Sequence, residues 1–287
     1  MLLIKMQRLH MLQHESVMEC AGLTGGQTMN PACVIATSTG RTGTKLLAQV
    51  FASTPGVEAV HVSSNSILVN VISNLWLCGA CPRVFVRLAW KVLKSPYPPN
   101  RERVFLDSNN HLYAFVVDFQ ELIPAVKVLH LVRDPRTYIP SHLNWAHSRP
   151  KSYLANFIIP FWQPNPWLCG EVSFFYYIKM SAAERFAWIW QFKNRMLNSL
   201  EESGVPYMRV RLEDMAKSTE VQDEISAFLG VDKNNVDWPA GGRKINKSTS
   251  SRIPSYSDWP EDWVISMRKW CGPLMTKYGY VESGGEK

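Results

Sequence analysis

The stretch VIATSTGRTGTKLLAQVF, residues 34–51, constrains the fold of this chain more than any other. A β-branched run feeds a turn rich in Gly, Thr and Ser, and the turn opens into a helix with apolar residues at helical spacing. A strand that hands over to a helix in this way is half of a βαβ unit, and such units pack as a parallel sheet covered on both faces. Five short strands are expected, at CVIAT (33–37), VEAVHV (57–62), RVFLD (103–107), KVLHLV (127–132) and YMRVRLED (207–214). Helical patterns lie between them in TKLLAQVFAS, HLYAFVVDFQELI, AAERFAWIWQFKNRMLNSLEESG and EVQDEISAFLG, the third stopping at Gly204. The expected fold is α/β, a three-layer αβα arrangement with a central parallel sheet. Residues 1–30 read as a loosely ordered N-terminal extension, and 31–287 as a single domain with an aromatic insertion near 150–180.

In a sheet of this kind ligands bind off the carboxyl ends of the strands, where the 39–44 loop would sit. Gly40 and Gly43 let the backbone turn its N–H groups toward an anion, and the helix starting near Thr44 adds its positive end. The loop departs from the ATP-binding pattern GxxxxGK[ST]. With Gly43 as the last glycine, Thr44 stands where the lysine should be and Lys45 where a Mg²⁺-ligating hydroxyl should be. An ammonium repels a divalent cation, so a kinase or ATPase is disfavoured.

The net charge of +7 and a pI near 9.1 suit an anionic ligand. No recognised RNA or DNA module accompanies that charge, so nucleic acid is not expected as a partner. Among six cysteines only Cys78 and Cys81 are closely spaced, with no second pair or histidines to complete a zinc site. They read as buried free thiols of a reducing compartment, and no metal is expected. The first 20 residues lack an uninterrupted apolar core for a secretory signal, although their shortage of acids leaves a transit segment open. SILVNVISNLWLCGACP is broken by asparagines and falls short of a membrane span, which points to a soluble, cytoplasmic protein.

A second motif, KVLHLVRDPRTYIPSHL (127–143), places Arg133 at a strand end, a turn at Asp134-Pro135, and Ser141 eight residues after the arginine. Together with Arg41-Thr42-Gly43-Thr44 it resembles the two phosphate-binding motifs of the sulfotransferases that use 3′-phosphoadenosine 5′-phosphosulfate (PAPS), a P-loop NTPase-like fold. The resemblance extends to RVRLEDMAKSTEVQDEISAFLGV, to the basic loop GGRKINKSTS and to the ending LMTKYGY, so that it covers residues 31 to about 281. It implies a sulfuryl transfer from PAPS to a hydroxyl or amine without a metal. Arg41, Thr42, Gly43, Thr44 and Lys45 would hold the 5′-phosphosulfate, Arg133 and Ser141 the 3′-phosphate, and Arg243 and Lys244 would close over that end. Arginine offers the anion a planar fork, and a serine two helical turns on can return a hydroxyl to it.

In-line transfer needs the leaving-group charge neutralised, for which Arg41 and Lys45 are the local cations. It also needs a base for the acceptor hydroxyl. The resemblance implies His111, 22 residues before Arg133; His61, Asp107 and Glu58 are the other candidates, and Val62 stands where some branches of the family carry a glutamate. The segment 153–178, with nine aromatic residues and prolines at 160, 164 and 166, cannot form one long helix and suits a wall for a small apolar or aromatic acceptor. Those rings would otherwise fill the core or an interface with a second copy of the chain. Two rival functions remain open, a nucleotide or nucleoside kinase and a sulfotransferase-like protein that binds without catalysis.

Overall fold

Alternation along the strands decides the layers. In β1 (Cys33–Ser38), Cys33 and Ile35 face one side of the sheet while Val34 and Ala36 face the other, and the two sets join separate hydrophobic cores. The computed structural model describes residues 32–280 except 95–96, 99–101, 124, 149–150, 152–153, 155, 157–158, 160 and 240–252. Its sheet consists of β1, β2 (Val57–His61), β3 (Val104–Ser108), β4 (Val126–Val132) and β5 (Tyr207–Arg211), all parallel, in the order β2-β3-β1-β4-β5. This is the expected three-layer αβα fold.

One face is covered by α1 (Thr44–Phe51) and α9 (Thr219–Leu229), which bury Leu47, Phe51, Ile225 and Leu229 against Val34, Leu106 and Leu129. The larger core on the other face gathers α2 (Ser66–Leu77), α3 (Arg83–Leu93), α5 (Pro135–His147), α7 (Ala182–Asn198) and α10 (Glu261–Lys277). Short turns α4 (Phe119–Leu122), α6 (Phe174–Lys179) and α8 (Leu212–Met215) complete the helices. No described helix is long and apolar enough to cross a membrane; the apolar run at residue 66 becomes the twelve-residue α2.

Two elements differ from expectation. The stretch after His111 is a 3₁₀ segment, Leu112–Asp118, followed by the single turn α4, because every residue from Leu112 to Val116 is buried and no polar face exists for an α-helix to present. The last strand stops at Arg211 instead of running to Asp214, where Arg211 and Asp214 pair across the start of α8. The cysteines also need correction. Cys78 and Cys81 are half-buried and do not meet; Cys78 Sγ lies 4.0 Å from Cys169 Sγ, and the five described cysteines are free.

His130, on β4, is enclosed between α7 and β5. Its Nε2–H donates to Asn194 Oδ1 at 2.8 Å, and Nδ1 accepts from the Tyr207 hydroxyl at 2.7 Å. Burial pushes its pKa down to about 3, so the folded chain holds it neutral while the unfolded chain protonates it below about 6.5. Its contribution is therefore complete above pH ~6.5 and is lost as the pH falls toward 3, at up to about 1.4 kcal/mol per unit. Urea midpoints should drop from pH 7 to pH 4, and His130→Asn should flatten that slope.

Candidate active site

The strand order puts a topological switch point between β1 and β4, whose following connections leave toward opposite edges. Both sequence motifs begin there. Thr39–Gly43 forms the loop from β1 into α1, with Gly40 at φ 93° and Gly43 at φ 87°. Arg41 adopts φ 56°, a left-handed conformation costing a side-chain-bearing residue about 1–2 kcal/mol. Such strain persists where surrounding structure imposes it, often at a ligand clamp. The turn leaves the amides of Arg41 through Leu46 with no protein acceptor among the described residues. The Thr39 and Thr42 hydroxyls are buried and lack partners as well. The amides of Gly43 through Leu46 are those a helix leaves open at its N-terminus, and the amides of Arg41 and Thr42, beside the orphaned hydroxyls, extend the row in a way that fits a bound oxyanion.

Gly43 has a second constraint. A methyl group on it would stand 2.6 Å from Leu212 Cδ1 and 3.0 Å from Met215 Cε, in a φ region that disfavours a side chain. Gly43→Ala should lower stability by about 1–3 kcal/mol in a denaturant titration and displace the loop amides.

Arg133 ends β4, and its Nη1 donates to the carbonyl of Arg41 at 2.8 Å. Arg41 Nε in turn donates to Ser141 Oγ at 3.3 Å, across α5. Arg41, Arg133 and Ser141 thus meet in one place, although 92 residues separate the two arginines. Neither arginine has a salt bridge among the described residues. Asp134, the carboxylate next in sequence to Arg133, is instead clamped to Arg136 at 2.6 Å and caps α5 through the Arg136 amide. Burial lowers the pKa of both guanidiniums; at Arg133 the charge of Glu213 opposes this and that of Arg41 adds to it. Two half-buried cations without a bound counter-anion call for an anionic ligand.

The backbone that aims Arg133 is fixed from two sides. Trp190, fully buried on α7, donates Nε1–H to the Arg133 carbonyl at 2.9 Å. Glu213 accepts from the Asp134 amide at 3.1 Å and from the Tyr280 hydroxyl at 2.9 Å, which ties the C-terminal end of the described chain to this turn.

The remaining expected residues separate into distinct surroundings. Lys45 is exposed on the outer side of α1 and makes no contact with the arginines, so Arg41 is the cation at the loop. Arg243 and Lys244 lie outside the described residues. Glu58 sits opposite Phe105, three residues back from the end of β2 and away from the carboxyl edge. Asp107 is buried and already accepts from the Ser63 amide and hydroxyl, from Tyr97 Oη at 2.8 Å and from Asn109 Nδ2 at 3.4 Å. Lys94 closes that network through Ser63 and Ser66, each at 2.6 Å. Three of these donors meet Oδ2, while Oδ1 takes only the 3.4 Å contact from the Ser63 amide, and together the bonds tie the loops after β2 and β3 to each other. Val62, after β2, has φ 58°, a strained conformation for a β-branched residue.

Two candidate histidines remain, His61 at the end of β2 and His111 after β3. His61 Nδ1 donates to the Ser108 carbonyl at 2.9 Å, which leaves Nε2 as the acceptor nitrogen. His111 starts the 3₁₀ segment with its amide bonded to Asn109 Oδ1 at 3.0 Å, and its ring lies 6.3 Å from the Trp162 ring, edge to face. Burial, then the charges of Lys193, His61 and Lys94, lower the His111 pKa to about 4, so the imidazole is neutral near pH 7.

No family model matches the sequence, and no curated protein matches it significantly. Solved structures similar to the chain include the sulfotransferase domain from the Synechococcus PCC 7002 olefin synthase, at 15% identity and a TM-score of 0.46, covering 92% of this chain and 100% of that one. The sulfotransferase domain from the curacin biosynthetic pathway gives 12% and 0.48, covering 85% and 97%. A sulfotransferase from Alicyclobacillus acidocaldarius gives 11% and 0.48, covering 87% and 96%. At these identities and scores, the chemistry rests on the side chains of this chain.

The aromatic segment is not one helix. Among its described residues Trp167, Phe174, Phe175 and Tyr176 are exposed, so they do not fill the core. Asn70 and Asn74 of α2 hold the segment by donating to the Trp162 carbonyl at 3.0 and 3.2 Å. Lys193 is the residue that sequence reasoning missed. It is 2% exposed, and its ammonium donates to Gln163 Oε1 at 2.8 Å and lies 4.4 Å from the centre of the Tyr113 ring. Burial lowers its pKa to about 7. The signal was available: a lysine at helical spacing with Phe186, Ile189, Trp190 and Leu197, all buried.

Proposed function

We propose that this chain is a sulfotransferase that moves a sulfuryl group from PAPS to a hydroxyl or amine of a small acceptor. One observation carries the reading. Arg41 and Arg133, from loops at two adjacent strand ends, are joined by a hydrogen bond while neither is in a salt bridge among the described residues. The open amides and orphaned hydroxyls of the 39–46 loop fit the 5′ end of such a donor, with Arg133 and Ser141 at the 3′-phosphate. When bound, the donor supplies the activated sulfuryl group.

The chain's part is positioning and charge. Arg41 and the loop amides neutralise the oxygen that leaves as the sulfur–oxygen bond breaks. His111, neutral at neutral pH, takes the proton from the acceptor as its oxygen bonds to sulfur. Two phosphate groups nearby would raise the imidazole's proton affinity at the moment the proton must be accepted. His61, one loop away, is the second candidate for this role.

The test is turnover of PAPS with a panel of phenols, alcohols and amines in EDTA, read by mass spectrometry for a sulfated product. A sulfated product supports the reading. Mg²⁺-dependent ATP turnover with a phosphorylated product would replace it by the kinase alternative. Tight nucleotide binding without any product would favour a non-catalytic binder.

A further inference from the structure

Under the aromatic segment, beside α7, lies a cleft of ≈ 260 Å³. Its apolar walls are Ile159, Trp167, Tyr177 and Ile189, and its polar groups include Arg185 and Gln163. The Trp167 and Tyr177 rings lie nearly parallel, 6.4 Å apart between centres at an interplanar angle of 24°. The Arg185 guanidinium is 4.5 Å from the centre of the Tyr177 ring. Such a cleft takes a small molecule with a flat or apolar body.

The one charged side chain among the described residues that line the cleft is Arg185. Its Nε is buried without an acceptor, and among the described residues the guanidinium makes one hydrogen bond, a 3.4 Å contact of Nη2 with the Tyr177 carbonyl. No carboxylate pairs with Arg185 among the described residues. Gln163 accepts from Lys193 through Oε1, and one N–H of its amide makes a 3.4 Å contact with Asn156; the second N–H has no acceptor among the described residues. Behind Gln163 stands the buried Lys193, also without a carboxylate partner among the described residues. A guanidinium and an amide N–H thus face the cleft, with no acidic side chain among its described lining residues.

The cleft also adjoins the reaction site. Gln163 lines it, and the next residue back, Trp162, packs edge to face on His111. Lys193, which donates to Gln163, is also the charge that acts most strongly on the His111 imidazole.

We infer that this cleft is the acceptor subsite, and that the acceptor it takes is a hydroxy-carboxylate, with its carboxylate held by Arg185 and Gln163 and its apolar or aromatic body between Trp167, Tyr177 and Ile189. The inference rests on the sulfotransferase reading for the role of the hydroxyl, while the carboxylate site stands on the cleft alone. Arginine is suited to it, since its planar fork matches a carboxylate in two parallel hydrogen bonds.

The experiment is calorimetric titration of the full chain with 4-hydroxyphenylacetate, 3-(4-hydroxyphenyl)propanoate and 10-hydroxydecanoate, each paired with its methyl ester. At least one acid should bind about tenfold or more tighter than its ester, the scale of a charge-assisted hydrogen bond. Arg185→Gln should erase most of that preference. Circular dichroism melting checks the variant's fold, and Arg185→Lys provides a second variant, expected to recover only part of the acid preference because a point charge cannot reproduce the fork. Equal binding of acid and ester, absence of binding by every acid at millimolar concentration, or an unchanged preference in both variants would overturn the inference. Adenosine 3′,5′-bisphosphate is titrated in parallel, and Arg185→Gln should leave its affinity unchanged. If the acids bind as expected and the bisphosphate does not, the carboxylate subsite stands and the sulfotransferase reading falls. If the bisphosphate binds and the acids do not, the reverse holds.

Discussion

Replacing Arg133 with alanine should weaken adenosine 3′,5′-bisphosphate binding by about a hundredfold or more. Hydrogen bonds to charged groups are worth roughly 1.5–3 kcal/mol each, and a guanidinium can offer two to one phosphate. Arg133→Lys should recover only part of the loss, because a point charge cannot reproduce the fork. Arg41→Ala should cost a similar factor. The double variant should lose less than the sum of the two, because Arg133 Nη1 also fixes the Arg41 carbonyl and each change disturbs the other's position. The unliganded protein should respond differently. Removing Arg41 gives up its bond to Ser141, and removing Arg133 gives up its bonds to the Arg41 carbonyl and Thr137 Oγ1, so folding stability should fall by no more than about 1–2 kcal/mol. A merely structural arginine would show the opposite pattern, with a large loss of stability and no specific loss of nucleotide affinity.

The second large effect is expected at His111. His111→Ala should lower sulfuryl transfer by about 10²–10⁴-fold and leave bisphosphate affinity within a factor of about two. Its folded pKa of about 4 lies below the ordinary 6.5, so the base form is present above pH ~4 and is lost as the pH falls through that value. Bound phosphates should raise this pKa, and NMR titration of the imidazole with and without the bisphosphate would register the upward move. His61→Ala should cost less than about tenfold, its ring being exposed and committed to the Ser108 carbonyl. Asp107→Asn should act mainly on the melting temperature, through the network that joins Ser63 and Tyr97. A His61 variant more damaged than the His111 variant would transfer the base to His61.

The sheet was legible because β-branched runs with turn residues at both ends leave few alternatives, and both phosphate motifs fall where a parallel sheet gathers its loops. The strand order was not, since β1, β3 and β4 each send apolar side chains into both cores and nothing local encodes a neighbour. Motif spacing put Ser141 with Arg133, whereas the bond of Ser141 to Arg41 and the diversion of Asp134 to Arg136 come only from the fold. Both carboxylate–arginine pairings are equally local, and the cap on α5 decides between them. The exposed position of Lys45 follows from where α1 turns its buried stripe of Leu46, Leu47, Val50 and Phe51. Lys193 falls on the buried stripe of α7 by its spacing, but on a helix that also carries Glu184, Arg185, Gln191 and Arg195 a lysine reads as one more solvated charge. Its partner Gln163 is 30 residues away, and only the fold joins them.

The central claim is that one nucleotide bridges Arg41 and Arg133. Isothermal titration in EDTA with adenosine 3′,5′-bisphosphate, adenosine 5′-phosphate and adenosine 3′-phosphate tests it directly. A single site that binds the bisphosphate about a hundredfold or more tighter than either monophosphate is the predicted result. Equal affinities for the three, or tight binding of ATP only with Mg²⁺, would contradict it.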